Sequence, residues 1–137
     1  MTLIGCMRVN HADYIEIKFT EASADAIDAF FEHFKAVMQE ANAEDNDLPA
    51  RVLINTDDID DTQQPLGYLV KSIRREAKNL HTNHCIYVSA TIKYQLLLHT
   101  INAVLPMLGM KNYRYKFFAS NDDAKAWLIE QNSLTCK

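Results

Sequence analysis

Residues 51–55 read Arg-Val-Leu-Ile-Asn and residues 85–89 read Cys-Ile-Tyr-Val-Ser, two short apolar runs on either side of a segment with helical periodicity. A short apolar run bounded by polar turns is typical of a buried strand. Parallel neighbours in a sheet are joined by a crossover, which is usually a helix. Strand-type and helix-type segments keep alternating to about residue 131, so this part of the chain predicts β-α units of a parallel sheet.

Two further β-type stretches come before these units, at residues 3–9 and 14–19. Polar and apolar residues alternate along the second stretch, and the short segment 10–13 separates the two. This spacing predicts an antiparallel hairpin at the start of the chain.

Four helices are predicted from apolar periodicity and end signals. Each begins at a residue suited to a helix start: Ser23 for a helix to about residue 41, Pro65 for 66–80, Thr91 for a long helix to 108, and Ser120 or Asn121 for the last, to about 131. With a strand at 113–118, the order is β-β-α-β-α-β-α-β-α. The sequence therefore predicts an α/β fold with a mixed sheet, in one domain covering residues 1–137.

Composition excludes several classes of protein. The chain has 137 residues, 48% of them hydrophobic, and a net charge of -4, which suits a folded domain and argues against non-specific nucleic-acid binding. We expect no secretory signal, because no basic stretch precedes a long apolar run at the start of the sequence. We expect no transmembrane segment, because no run of about 18 uncharged apolar residues occurs. The chain has three cysteines, Cys6, Cys85 and Cys136. A disulfide framework needs a larger and even number, so this cysteine content favours the reducing cytoplasm.

The strand order brings several polar residues to one edge of the predicted sheet. The loops at the carboxyl ends of parallel strands meet at the same edge, where helix N-termini offer N–H donors. That edge is a candidate ligand site formed by Thr56, Asp57, Asp58, Ser89, Thr91 and Ser120.

The predicted third helix has two apolar bands. One is broad and suits packing on a sheet, and a second, narrower band contains Ile92, Leu96, Ala103 and Met107. A helix with two apolar faces packs against a neighbouring helix, a second subunit or an apolar ligand, and the sequence leaves these three open.

A basic stripe on the predicted second helix is a candidate contact surface. It comprises Lys71, Arg74, Arg75 and Lys78. It suits an acidic partner protein or an anionic head group, although a solvated helix face has the same pattern.

Three stretches of the chain carry a family resemblance. Residues 51–55 are similar to a central strand that leads into a signalling loop, and residues 86–90 with the apolar helix after them to a later strand and helix. Residues 117–128 end in Ala126-Trp127-Leu128 after a short acidic turn. Together they resemble the STAS family of sulfate-transporter and anti-sigma-factor-antagonist domains, in its SpoIIAA-like branch. The resemblance implies a non-enzymatic regulatory domain that acts through protein contacts.

The resemblance also implies a phospho-acceptor position. Anti-sigma-factor antagonists carry an Asp-Ser-x-Gly motif at the start of the second helix, and a partner kinase phosphorylates its serine. Here residues 59–67 read Ile-Asp-Asp-Thr-Gln-Gln-Pro-Leu-Gly, so Thr62 stands near the position of that serine without the glycine that should follow.

Residues 58–62 also resemble the Asp-x-Asp-x-Thr loop of haloacid-dehalogenase-type phosphatases, in which two aspartates and Mg²⁺ act on a phosphate. In that family the first aspartate directly follows its strand, whereas here Thr56 and Asp57 intervene. A five-residue acidic pattern arises easily by chance.

We expect neither a catalytic residue nor a metal site or cofactor, because the five histidines show no ligand spacing. The main expectation is an interaction domain that binds a protein partner, forms a homodimer, or does both. The alternatives are a module that binds a small apolar or lipid-like ligand under the third helix and, last, a phosphatase.

Overall fold

A computed structural model describes residues 4–43, 49–59, 65–80, 82, 84–92, 95–108, 112–133 and 136. The strands are β1 (Cys6–Asn10), β2 (Ile15–Phe19), β3 (Ala50–Asn55), β4 (Ile86–Thr91) and β5 (Tyr113–Phe118). The helices are α1 (Ala24–Ala43), α2 (Leu66–Glu76), α3 (Gln95–Val104) and α4 (Asn121–Glu130). Short 3₁₀ turns extend α2 over Ala77–Asn79 and α3 over Leu105–Leu108.

The five strands form one mixed sheet whose spatial order follows the chain, β1-β2-β3-β4-β5. β1 and β2 are antiparallel and the remaining pairs are parallel, which confirms the predicted class and element order. Right-handed crossovers between successive neighbours place their helices on one face. Accordingly α1, α2 and α3 share one apolar core, and α4 packs on the opposite face.

Helix α1 begins and packs as predicted. The hydroxyl of Ser23 accepts a hydrogen bond from the backbone N–H of Ala26 at 3.1 Å, which satisfies a donor that the first helical turn leaves without a partner. Its apolar stripe, including Phe31, Phe34 and Val37, is buried against the sheet.

The predicted start of the third helix is wrong. Thr91 is the last residue of β4, and α3 begins at Gln95. All six residues of β4 are buried, because helices cover both faces of the sheet at this strand. Ser89 and Thr91 are therefore interior strand residues, although serine and threonine commonly mark a helix start.

Helix α4 covers a second core on the other face of the sheet. Ser120 caps it by accepting a hydrogen bond from the N–H of Asp123 at 3.3 Å, as predicted. Leu53 of β3 and Leu128 of α4 are fully buried in this core, beside Tyr87.

A disulfide closes the second core and corrects the expectation of reduced cysteines. It joins Cys85, directly before β4, to Cys136 near the chain end, with their Cα atoms 5.1 Å apart. The segment after α4 is also held by Arg51, whose guanidinium donates hydrogen bonds to the carbonyl of Gln131 at 2.9 Å and to Oδ1 of Asn132 at 2.8 Å. Disulfides are rare in the cytosol, so the cysteines no longer support a cytoplasmic location. That location stays a prediction.

Candidate functional site

An apolar cavity of about 190 Å³ lies between the sheet and the layer formed by α1, α2 and α3. Its floor is formed by side chains of β3, β4 and β5, namely Ile54, Val88, Ala90 and Phe117. Its roof is formed by side chains of the three helices, chiefly Phe30, Leu69, Ile73, Leu97 and Ile101. We call this space the cavity.

The position of α3 explains why the cavity exists. α4 comes close to β3, β4 and β5, whereas the main backbone neighbour of α3 among the other helices and strands is α2. Leu98 and Ile101 of α3 are half-buried, and Tyr115 of β5 is 38% exposed. The cavity therefore lies where the backbones of α2 and α3 are farther from the strands than that of α4, and part of β5 is left uncovered.

The polar side chains that border the cavity direct their hydroxyl groups elsewhere. The Ser23 hydroxyl caps α1, and the Thr56 hydroxyl donates to the carbonyl of Thr91. The Tyr113 hydroxyl donates to the carbonyl of Leu80 at 2.8 Å, and burial raises the pKa of this phenol. As a result the surface of the cavity is entirely apolar.

The lining of the cavity extends along the strands as well as across them. Its lining runs from Tyr113 at the amino end of β5 to Phe117 near the other end of that strand. Four residues of a strand span about 13 Å. Phe19 and Ile92 border the cavity toward the carboxyl ends of their strands.

The structure brings together most of the predicted polar edge. Thr56 and Thr91 bond to each other across the ends of β3 and β4, and the Nδ2 group of Asn121 donates to Oδ2 of Asp57 at 2.5 Å. Asp58 is exposed and pairs with Nζ of Lys18 at 3.0 Å. Most polar groups of this edge are therefore engaged within the protein, although Oδ1 of Asn121 is buried without a hydrogen-bond partner among the described residues.

Ser89 and Ser120 contribute differently to that edge. Ser89 is fully buried in β4, and its hydroxyl has no hydrogen-bond partner among the residues that the structure describes. Ser120 is exposed and serves as the cap of α4. In other α/β sheets, a ligand crevice opens at the carboxyl edge where the strand order reverses direction. The strand order here follows the chain from β1 to β5 without such a reversal. That this edge of the sheet binds a ligand stays a prediction.

A chain of hydrogen bonds beside this edge was not expected from the sequence. Glu16 accepts from Nδ2 of Asn55 and lies 2.8 Å from Nε2 of His11, and Oδ1 of Asn55 accepts from the N–H of Asp57. Burial alone would raise the pKa of Glu16, but the hydrogen bonds from Asn55 and His11 outweigh burial and hold that pKa below its ordinary value. Glu16 is thus an anion that fixes the end of β3.

One of the four cations in the predicted basic stripe is engaged in ion pairs within the protein. Lys71, Arg74, Arg75 and Lys78 are all exposed, but Arg75 pairs with Glu76 at 3.3 Å and with Asp28 of α1 at 3.7 Å. The other three make no ion pair with any residue in the described ranges.

The predicted second band of α3 needs a correction. Ile92 precedes the helix and is buried at the edge of the cavity, so it is not part of an outer surface. Leu96 is 69% exposed, and Ala103 is exposed as well. The side chain of Met107 lies outside the described residues, as does Thr62, the candidate phospho-acceptor.

The remaining reactive groups form no further site. Burial raises the pKa of the Cys6 thiol to about 12, so this cysteine is a poor nucleophile at neutral pH. Within the described ranges, no three side chains of His, Cys, Asp or Glu are grouped so as to hold a metal ion. None of the helices described there is long and apolar enough to cross a membrane.

No known protein family, curated protein or solved structure matches the chain. The five-stranded mixed sheet and its element order are compatible with a STAS-like fold.

Proposed function

We propose that this protein binds a small apolar or lipid-like molecule in the cavity. The observation that carries the proposal is the entirely apolar surface of a space of about 190 Å³ between the sheet and three helices. Apolar cavities of about 150 Å³ in other proteins stay free of water and take up small hydrophobic molecules. Ligand sites are commonly concave and mostly apolar.

Packing energetics favour an occupied cavity. Protein interiors are packed as densely as organic crystals, and an unfilled apolar space lowers stability by roughly 24 cal/mol for each Å³. Chain carbons of a ligand would add contacts for Ile73, Leu97 and Ala90, which line the cavity. Binding would then stabilise the fold.

Decan-1-ol is a suitable neutral probe of the proposal. We expect saturable binding of one molecule per chain in native mass spectrometry. At a free concentration of about 100 times Kd, binding adds about 2.7 kcal/mol to the free energy of unfolding. For a domain of this size, the expected rise in Tm is roughly 5–10 °C. An unchanged Tm together with no bound decan-1-ol would contradict the proposal.

A second candidate function is the protein interaction that the resemblance to STAS domains implies. The observation that favours it is the side chain of Leu96, which is 69% exposed on the outer side of α3, near exposed Ala103. Large apolar side chains exposed on a helix are frequent in contact surfaces.

Sedimentation equilibrium of wild type and Leu96→Glu tests this second candidate. We expect a concentration-dependent dimer that the substitution dissociates while the circular dichroism spectrum stays unchanged, since a buried carboxylate is strongly disfavoured at an apolar interface. The variant Asn102→Glu, exposed on α3 about 120° around the helix from Leu96, controls for added charge. Monomers at all concentrations in both proteins would remove self-association through Leu96.

A further inference from the structure

We propose that the ligand is an anionic amphiphile, whose apolar tail occupies the cavity and whose acidic head group is bound by Arg74 with Lys78. This inference rests on the proposed function, since it names the class of molecule that the cavity takes. Two separate features carry it, the apolar lining and the position of two cations on the helix that roofs it.

The three sides of α2 are distinguished by their contacts. Leu69 and Ile73 line the cavity. Glu76 points toward α1, where Nζ of Lys35 lies 3.2 Å from its Oε2 atom. The Tyr68 hydroxyl also points toward α1 and donates a hydrogen bond to Oδ1 of Asp28 at 2.6 Å. These contacts define the cavity side and the α1 side of the helix.

Arg74 belongs to the remaining side. At about 100° per residue, Arg74 is about 100° around the helix from Ile73 and roughly opposite Glu76. Because α2 lies next to both α1 and α3, the flank opposite α1 is the flank toward α3. Arg74 therefore lies along the seam between the two helices that roof the cavity, and Lys78 follows one turn later.

The charges of these two residues are available to a ligand. Several other cations in the described ranges have carboxylate partners, such as Arg8 with Glu40 and Lys35 with Glu32 and Glu76. Arg74 and Lys78 are exposed and form neither a hydrogen bond nor an ion pair with a residue in the described part of the chain. Two such cations beside an apolar cavity, in a chain of net charge -4, mark a place for an anion.

The chemistry of the head group follows from arginine. A guanidinium presents paired N–H donors that match a carboxylate or a phosphate, and lysine adds a second positive charge. A fatty acid and a phosphate monoester of a long-chain alcohol share this feature. A neutral alcohol of the same length fills the cavity equally well but has no charge for Arg74 to bind.

Calorimetric titration at low ionic strength with decanoate, decyl phosphate and decan-1-ol tests the inference. We expect wild type to bind at least one of the two anions roughly five- to tenfold more tightly than decan-1-ol, and the tighter anion identifies the head group. Arg74→Gln should remove most of this preference and leave decan-1-ol binding unchanged. Arg75→Gln is the matched control, because Arg75 lies on the α1 side of α2, where it pairs with Asp28 and Glu76.

The outcomes separate this inference from the proposed function. Equal binding of all three probes by wild type would overturn the anionic head group while the cavity still holds a ligand. An equal loss of preference in Arg74→Gln and Arg75→Gln would also overturn it, because a general charge effect would then account for the preference. If none of the three probes binds, the proposed function fails as well.

Discussion

Replacing Cys136 with serine is expected to lower the free energy of unfolding by about 4 kcal/mol. The disulfide with Cys85 closes a loop of 51 residues, which includes α3 and α4, so its loss frees a long segment in the unfolded chain. It also releases the segment that crosses the second core, where the Tyr87 hydroxyl donates to the carbonyl of Ser133 at 3.1 Å. Urea unfolding of both proteins without reductant measures the difference.

The same experiment with reductant provides the control. Reductant should shift the wild-type midpoint to that of Cys136→Ser and should leave the variant unchanged, because Cys6 has no disulfide to lose. Denatured, unreduced wild type should show one reactive thiol. Three reactive thiols and a midpoint insensitive to reductant would contradict the disulfide.

Replacing Ala90 with leucine is expected to weaken decan-1-ol binding at least tenfold. Ala90 is buried on β4 and lines the floor of the cavity, so a larger side chain occupies the space of the ligand. Extra carbons in a close-packed core cost about 1–3 kcal/mol. Because they enter an open space here, the unliganded variant should be as stable as wild type to within about 1 kcal/mol.

Ala126→Leu is the matched control, since Ala126 is exposed on α4 at the other face of the sheet and its substitution should leave binding unchanged. Ile101→Phe narrows the cavity from the α3 side and serves if Ala90→Leu fails to fold. Folded Ala90→Leu and Ile101→Phe proteins with wild-type affinity would place the ligand elsewhere.

The fold was predictable because its signals are local. The aromatic-rich stretch at 113–118 predicts β5 with the bounds observed, and Ser120 predicts the cap of α4. Pro65 correctly predicts the start of α2, since proline suits a position where the helix needs no N–H bond. These features depend on neighbouring residues along the chain, which the sequence displays directly.

The errors occur where distant segments decide the outcome. Thr91 was assigned to a helix start because threonine is a common cap, but burial between two helical layers makes it the end of a strand. The pairing of Cys85 with Cys136 depends on where the segment after α4 returns, and cysteine spacing alone does not determine it.

The cavity was only partly predictable. The two apolar bands of the third helix left an apolar ligand among three alternatives, and most residues that line the cavity have the pattern of ordinary core. Its volume depends on how far α3 stands from β5, a distance that no local pattern encodes. The side of α2 on which Arg74 lies follows from the contact of Glu76 with Lys35 of α1, which no pattern within the helix reveals.

The central claim is that the cavity beneath α1, α2 and α3 holds a ligand, and isotope-edited NMR tests it most directly. Protein with ¹³C-labelled methyl groups is mixed with unlabelled decan-1-ol, and nuclear Overhauser effects between the two are recorded. We predict contacts from the ligand chain to the methyl groups of Leu69, Ile73 and Ile101. Contacts confined to exposed methyl groups such as those of Leu96 and Ile129, with none to the cavity residues, would contradict the claim.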